Sequence, residues 1–145
     1  MTCTKVSGFI VLAAGLLVAQ PVNAQAALLP ISEGVWVKTD TRCGAATNVF
    51  VYNGNRFGSV YFYGPEQSMG PADETETLSK TGHGADGFTV VNEGPIEVAP
   101  RPNGHAEVRA YSLSDGVQWA ETVRLCTPAT LSPRLRTALA RLDLT

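Results

Sequence analysis

The stretch HAEVRAYSLSDGVQWAETVRLC, residues 105–126, decides the fold. Apolar and polar residues alternate on both sides of Asp115-Gly116, a pair that tolerates the positive φ of a tight turn, so the stretch reads as an antiparallel hairpin. A two-residue turn there sets Ser114 against Val117, Val108 opposite Val123 and Glu107 opposite Arg124. Ala106, Val108 and Ala110 then share a core face with Trp119, Val123 and Leu125, while His105, Glu107, Arg109 and Tyr111 share the other with Ala120, Thr122 and Arg124. Glu121 falls on the apolar side near the turn, where a fully desolvated carboxylate is costly. It is therefore either a rim residue that reaches water or a polar anchor inside a ligand cavity. One extra residue in the hairpin would exchange these faces, so the register is part of the expectation. Glu107 beside Arg124 is expected as a half-exposed ion pair contributing roughly 0 to 1 kcal/mol.

The same texture runs upstream. From Glu33 to Thr127, short runs of β-branched and aromatic residues alternate with Gly, Pro, Asn and Asp, and no helical period appears. Strands are expected near residues 34–39, 48–53, 56–63, 76–81, 87–92, 96–99, 105–112 and 117–125, which makes an all-β fold, a small antiparallel up-and-down barrel of about eight strands. Asn53-Gly54 suits the turn between the second and third. Phe57, Tyr61 and Tyr63 alternate on one face of the third strand, with Val60 and Phe62 on the other, so that strand is buried on both sides or offers its tyrosines to a partner. Between Tyr63 and Glu74, the prolines and glycines of GPEQSMGP (64–71) argue against a ladder and for the longest loop. After Cys126, Ser132 is placed to cap a short C-terminal helix with Pro133 at its first position and Leu135, Ala138, Leu139 and Leu142 on one stripe. Arg134, Arg136 and Arg141 occupy its other faces.

Residues 1–24 read as a cleaved export signal: Lys5, an apolar run of about 14 residues from Val6 to Ala19, Pro21, and small residues before a cut after Ala24 or Ala26. That run is short of the roughly 20 residues a membrane span needs, so no transmembrane segment is expected in the mature chain. Residues 25–32 form an N-terminal extension, 33–127 the barrel domain and 128–145 the helical C-terminal segment. Without Lys5, ten of the eleven Lys and Arg remain against thirteen Asp and Glu, a mildly acidic balance that does not point to nucleic acid. Loss of Cys3 leaves Cys43 and Cys126, which in an oxidising compartment most simply pair with each other. The protein is thus expected to be exported, periplasmic or secreted.

Chemistry-bearing motifs are sparse. His83, in the glycine-rich TGHGADG (81–87), and His105 lack a nucleophile beside them and the ligand spacing of a zinc site. Lys80-Thr81-Gly82 has no companion Ser-x-x-Lys element. Asp73, Glu74 and Glu76 could meet a cation, but they do not follow a calcium loop and read as solvating a strand entrance. No catalytic residue, metal or cofactor is expected, and the chain does not read as an enzyme.

Gly34-Val35-Trp36, on the first strand just after an exported N-terminus, resembles the Gly-x-Trp opening of the lipocalins and their calycin-type barrel relatives. The resemblance implies that Trp36 closes the base of an up-and-down barrel and that a last-strand cation, Arg124 or less readily Lys38, packs across its ring. The chain is short for a lipocalin and lacks the usual helix before the last strand; in size it is similar to avidins and bacterial lysozyme inhibitors. The leading functional expectation is a binding protein that holds a small, mostly apolar molecule, with Trp36, Trp119, Glu121, Tyr61 and Tyr63 as its contacts. Two rivals are a module that binds an envelope protein, such as a hydrolase inhibitor acting through residues 64–73, and a structural envelope component.

Overall fold

The computed structural model describes residues 27–112 and 114–145; the expected signal and its cut site lie outside them. Nine strands form one antiparallel sheet: β1 (Gly34–Lys38), β2 (Asn48–Tyr52), β3 (Arg56–Tyr63), β4 (Met69–Thr77), β5 (Thr81–His83), β6 (Thr89–Val91), β7 (Ile96–Arg101), β8 (His105–Ser112) and β9 (Gly116–Cys126). Their order is β4-β3-β2-β1-β9-β8-β7-β6-β5. Each strand pairs with its chain neighbour, the first pairs with the last, and only the β4–β5 ladder is missing from a closed ring. The sheet is a curled half-barrel. Phe57 of β3 and Val91 of β6 share one buried cluster although five strands separate β3 from β6 in the sheet order, and only strong curling allows that.

Alternation gives the sheet two apolar faces. The concave face gathers Trp36, Tyr52, Phe57, Val91, Val98, Ala106, Val108 and Val123, with Leu29 from the segment before β1. The outer face carries Val35, Val37, Val49, Val51, Val60 and Phe62, and the C-terminal helix α1 (Pro133–Arg141) covers it with Leu135, Ala138 and Leu139. The Ser132 hydroxyl accepts the Leu135 N–H at 3.2 Å, and Pro133 follows as the first helical residue, as the sequence signals require. Arg134 is not merely solvated. Its guanidinium lies 3.7 Å from the Phe62 ring centre and donates to the Gln67 carbonyl at 2.8 Å, fastening the helix to the β3–β4 connection.

Cys43 and Cys126 are bonded, with Cα atoms 5.9 Å apart across a sequence separation of 83. The bond joins the β1–β2 connection to the end of β9, beside the helix-covered core.

The nine strands agree with the all-β expectation of about eight. Two expectations need correction. The stretch expected as a loop from Gly64 to Asp73 is β4 from Met69 onward. Only Pro65–Gln67 forms a helical turn there. Pro71 is tolerated because β4 is an edge strand and the β3–β4 register shifts between Tyr61 and Tyr63, so its missing N–H breaks no ladder. The expected strand at 76–81 is instead the end of β4 and the start of β5.

The last hairpin is displaced by two residues. Ser112 pairs with Gly116, which leaves a three-residue loop, and an extra residue, Gln118, lies between the Tyr111–Val117 and Ala110–Trp119 pairs. Beyond that bulge Val108 faces Glu121, Ala106 faces Val123 and His105 faces Arg124. A displacement of two preserves side-chain parity, so the face assignments hold although the partners do not. Glu107 faces Thr122 and accepts a hydrogen bond from Arg101 Nε at 2.7 Å in place of the expected Arg124 pair.

Arg124 does not stack on Trp36. Trp36 pairs with Leu125 and Val37 with Arg124, which puts the arginine and the indole on opposite faces. The guanidinium instead donates to the Thr39 and Thr41 carbonyls and secures the chain leaving β1.

Candidate functional site

Trp36 is buried, at 3 % exposure, and its indole N–H donates to the Ser32 carbonyl at 3.0 Å. Leu29 lies in the same cluster, and its N–H donates to the Tyr52 hydroxyl at 3.3 Å. Trp36 is therefore committed to the floor of the curled sheet. Trp119 has a different setting, because it is 39 % exposed. The Gln118 bulge bends β9 just before it, and its ring folds over the concave face to lie 6.2 Å from Phe50, nearly parallel at 18°. Phe50 in turn stacks on Phe57 at 6.3 Å and 7°.

These three rings line a cleft of about 490 Å³ on the concave side, together with Val91, Pro95, Ile96, Ser59, Glu74 and Glu76. Strand pairing positions the polar wall. Phe57 faces Glu76 and Ser59 faces Glu74, so both carboxylates project to the same side as the aromatic rings. Gly58 allows the close approach of β4, since a Cβ there would lie 2.3 Å from the Glu74 carbonyl oxygen. Glu74 is held by two hydroxyl donors, Tyr61 at 2.7 Å and Ser59 at 3.3 Å. Donating that hydrogen bond to the carboxylate, partly desolvated and close to its negative charge, Tyr61 is pushed above the usual phenol range. Asp73, on the opposite side of β4, is different: partial desolvation raises its pKa, but the Thr75 hydroxyl and amide and the Arg56 guanidinium outweigh this and hold it below the usual carboxylate range.

Comparison of the chain with protein-family models, with curated proteins and with solved structures gave no match.

Of the residues singled out from sequence, the structure brings Trp119 to the cleft and Tyr61 to its carboxylate wall. Tyr63 packs edge-on against Tyr61 at 6.3 Å and is exposed at the β3–β4 end. Glu121 lies on the concave side, where Lys38 Nζ pairs with it at 2.5 Å, and it is not among the residues lining the cleft. Phe50, Phe57, Ser59 and Glu74 were not expected as contacts. Phe50 and Phe57 give no distinguishing signal, because an aromatic residue on a strand reads the same whether it fills a core or floors a cleft.

A wider hollow of about 770 Å³ opens on the other side of Gly94 and Pro95, lined by His83, Glu97, Arg109, Tyr111 and Gln118. Its charged floor is already internally matched, since Arg109 Nε donates to Glu97 Oε2 at 2.7 Å. Among the described residues no group of three or more His, Cys, Asp or Glu side chains could hold a metal ion. No helix among them is long and apolar enough to cross a membrane.

Proposed function

We propose that this is an exported binding protein that takes a small, mostly apolar molecule into the concave cleft. The observation that carries the reading is the Trp119–Phe50–Phe57 stack: a large aromatic ring left over one-third exposed, at the edge of two others and against a polar wall. Exposing a tryptophan face forgoes burial energy of the kind Trp36 enjoys on the neighbouring strand, and a ligand sandwiched there recovers it. The cleft volume suits a small ligand, and the mixture of apolar lining with few polar groups is usual for such sites. The Cys43–Cys126 bond agrees with an oxidising destination.

Native mass spectrometry of the disulfide-bonded protein, purified from an envelope or culture fraction without detergent, tests this. The expected result is a reproducible adduct of a few hundred daltons that Trp119→Ala abolishes. A bare mass from every such preparation would sink the proposal and favour the rival in which residues 64–73 capture an envelope protein.

A further inference from the structure

We infer that the ligand of the concave cleft is an organic cation: an apolar or aromatic body carrying an ammonium or guanidinium group, with that group seated between Glu74 and the Trp119 ring. The inference rests on the binding reading above and specifies its chemistry.

Charge pairing across the molecule is selective. Lys38, Arg56, Lys80, Arg101 and Arg109 pair respectively with Glu121, Asp73, Glu93, Glu107 and Glu97. Neither cleft carboxylate, Glu74 nor Glu76, takes part in an ion pair among the described residues, although Asp73 beside them does. Glu74 is nevertheless fixed in place. Both its oxygens accept hydrogen bonds from neutral hydroxyls, Tyr61 to Oε1 and Ser59 to Oε2, so the side chain is oriented while its charge is left uncompensated. The raised pKa of Tyr61 is the response of a phenol to that same anion. Asn92 Nδ2 reaches Glu76 at 3.5 Å, again a neutral donor.

Opposite this wall stand the faces of Trp119 and Phe50, whose quadrupoles attract a cation and gain from an apolar body alike. A neutral apolar ligand would use the rings and ignore the carboxylates. An anion would be repelled by both walls. A bare metal ion would find too few donors, because no cluster of three or more ligating side chains lies among the described residues. An organic cation is the class that satisfies the aromatic and the acidic wall together.

Isothermal titration calorimetry with three matched probes, 4-phenylbutyltrimethylammonium, 4-phenylbutan-1-ol and 4-phenylbutanoate, separates the possibilities. The cation is expected to bind at least about tenfold more tightly than the alcohol, and the carboxylate more weakly than either. Glu74→Gln, which keeps an acceptor for Tyr61, should bring cation binding down to the level of the alcohol; Glu76→Gln should reduce the preference in part. Trp119→Ala should weaken cation and alcohol together. Equal binding of cation and alcohol to the wild-type protein would overturn the cationic assignment and leave the cleft as a neutral-ligand site. Failure of all three probes to bind would overturn both this assignment and the binding reading.

Discussion

Arg109 and Glu97 face each other across β7 and β8, and the guanidinium Nε–H reaches the carboxylate at 2.7 Å with both side chains largely out of water, at 11 % and 7 % exposure. The Phe88 ring covers the guanidinium at 3.5 Å from its centre. The β5–β6 connection passes over the carboxylate so closely that a Cβ on Gly84 would lie 2.9 Å from Glu97 Oε1. Two charges withdrawn from water are tolerable here because each compensates the other and the ring adds a favourable face to the arginine.

Removing one partner should cost far more than removing both. Glu97→Ala leaves Arg109 covered and unpaired, and a loss of about 3 to 5 kcal/mol in urea unfolding is expected. A Glu97→Leu, Arg109→Leu double variant should recover most of that loss. A single-variant effect below about 1 kcal/mol would mean that the arginine simply swings into solvent and that the pair is not confined as described.

The two tryptophans should report two unlike environments. Trp36→Ala removes a buried ring together with its hydrogen bond to Ser32, and about 3 to 5 kcal/mol of stability should go with it. Trp119→Ala should change stability by less than about 1 kcal/mol, because the ring is partly exposed and its stacking is confined to Phe50. Fluorescence makes the contrast visible. The Trp119→Ala protein, emitting from Trp36 alone, should be blue-shifted and resistant to iodide, whereas the wild type should retain a quenchable component.

What the sequence discloses about this fold divides along a physical line. Period-two alternation, turn-forming dipeptides, the Ser132-Pro133 start and two cysteines are local signals, and the hairpins, helix and disulfide follow from them. The face on which Arg124 lies was also legible, because parity survives a two-residue displacement. Its partner was not: contact with Trp36 was an implication of family likeness, and the β1–β9 pairing that forbids it joins residues some ninety apart in the chain. Met69–Asp73 reads as a loop because Gly70 and Pro71 argue against a ladder, yet the proline and the acidic residues that follow are also what an edge strand needs to discourage further pairing. Phe50 reaches Trp119 only through the curl of the sheet and the bulge at Gln118, neither of which a linear pattern records.

Asp73 sets an expected acid dependence. Its folded-state pKa lies below the usual range, so ionised Asp73 stabilises the fold at pH values above its unfolded-state pKa, and that contribution is lost as pH falls through the folded-state value. At pH 6, Asp73→Asn should be less stable than wild type by under about 1 kcal/mol, since the Arg56 pair is partly exposed. The gap should close progressively below about pH 4. An unchanged gap at low pH would show that the loss comes from packing or amide geometry and not from the ionised carboxylate.

The seam between β4 and β5 has no ladder, and Asn92, just after β6, reaches the end of β4 and the chain that follows it. Asn92 Nδ2 donates to the Thr77 carbonyl at 2.8 Å while its Oδ1 accepts the Ser79 N–H at 2.8 Å, so the amide replaces two of the backbone hydrogen bonds that a closed ring would have made. The residue also sits at φ 51°, in the left-handed region where asparagine is better tolerated than most side chains. Asn92→Ala loses the bridge and strains the backbone together, and a cost of about 1 to 3 kcal/mol is expected. Asn92→Gly separates the two effects: it relieves the backbone and loses only the bridge. Hydrogen exchange should then quicken at Ser79, whose amide loses its partner, in both variants, while protection of β1, β8 and β9 is kept. If exchange accelerates evenly across all nine strands, Asn92 supports the whole fold rather than the seam, and the half-barrel opens only by global unfolding.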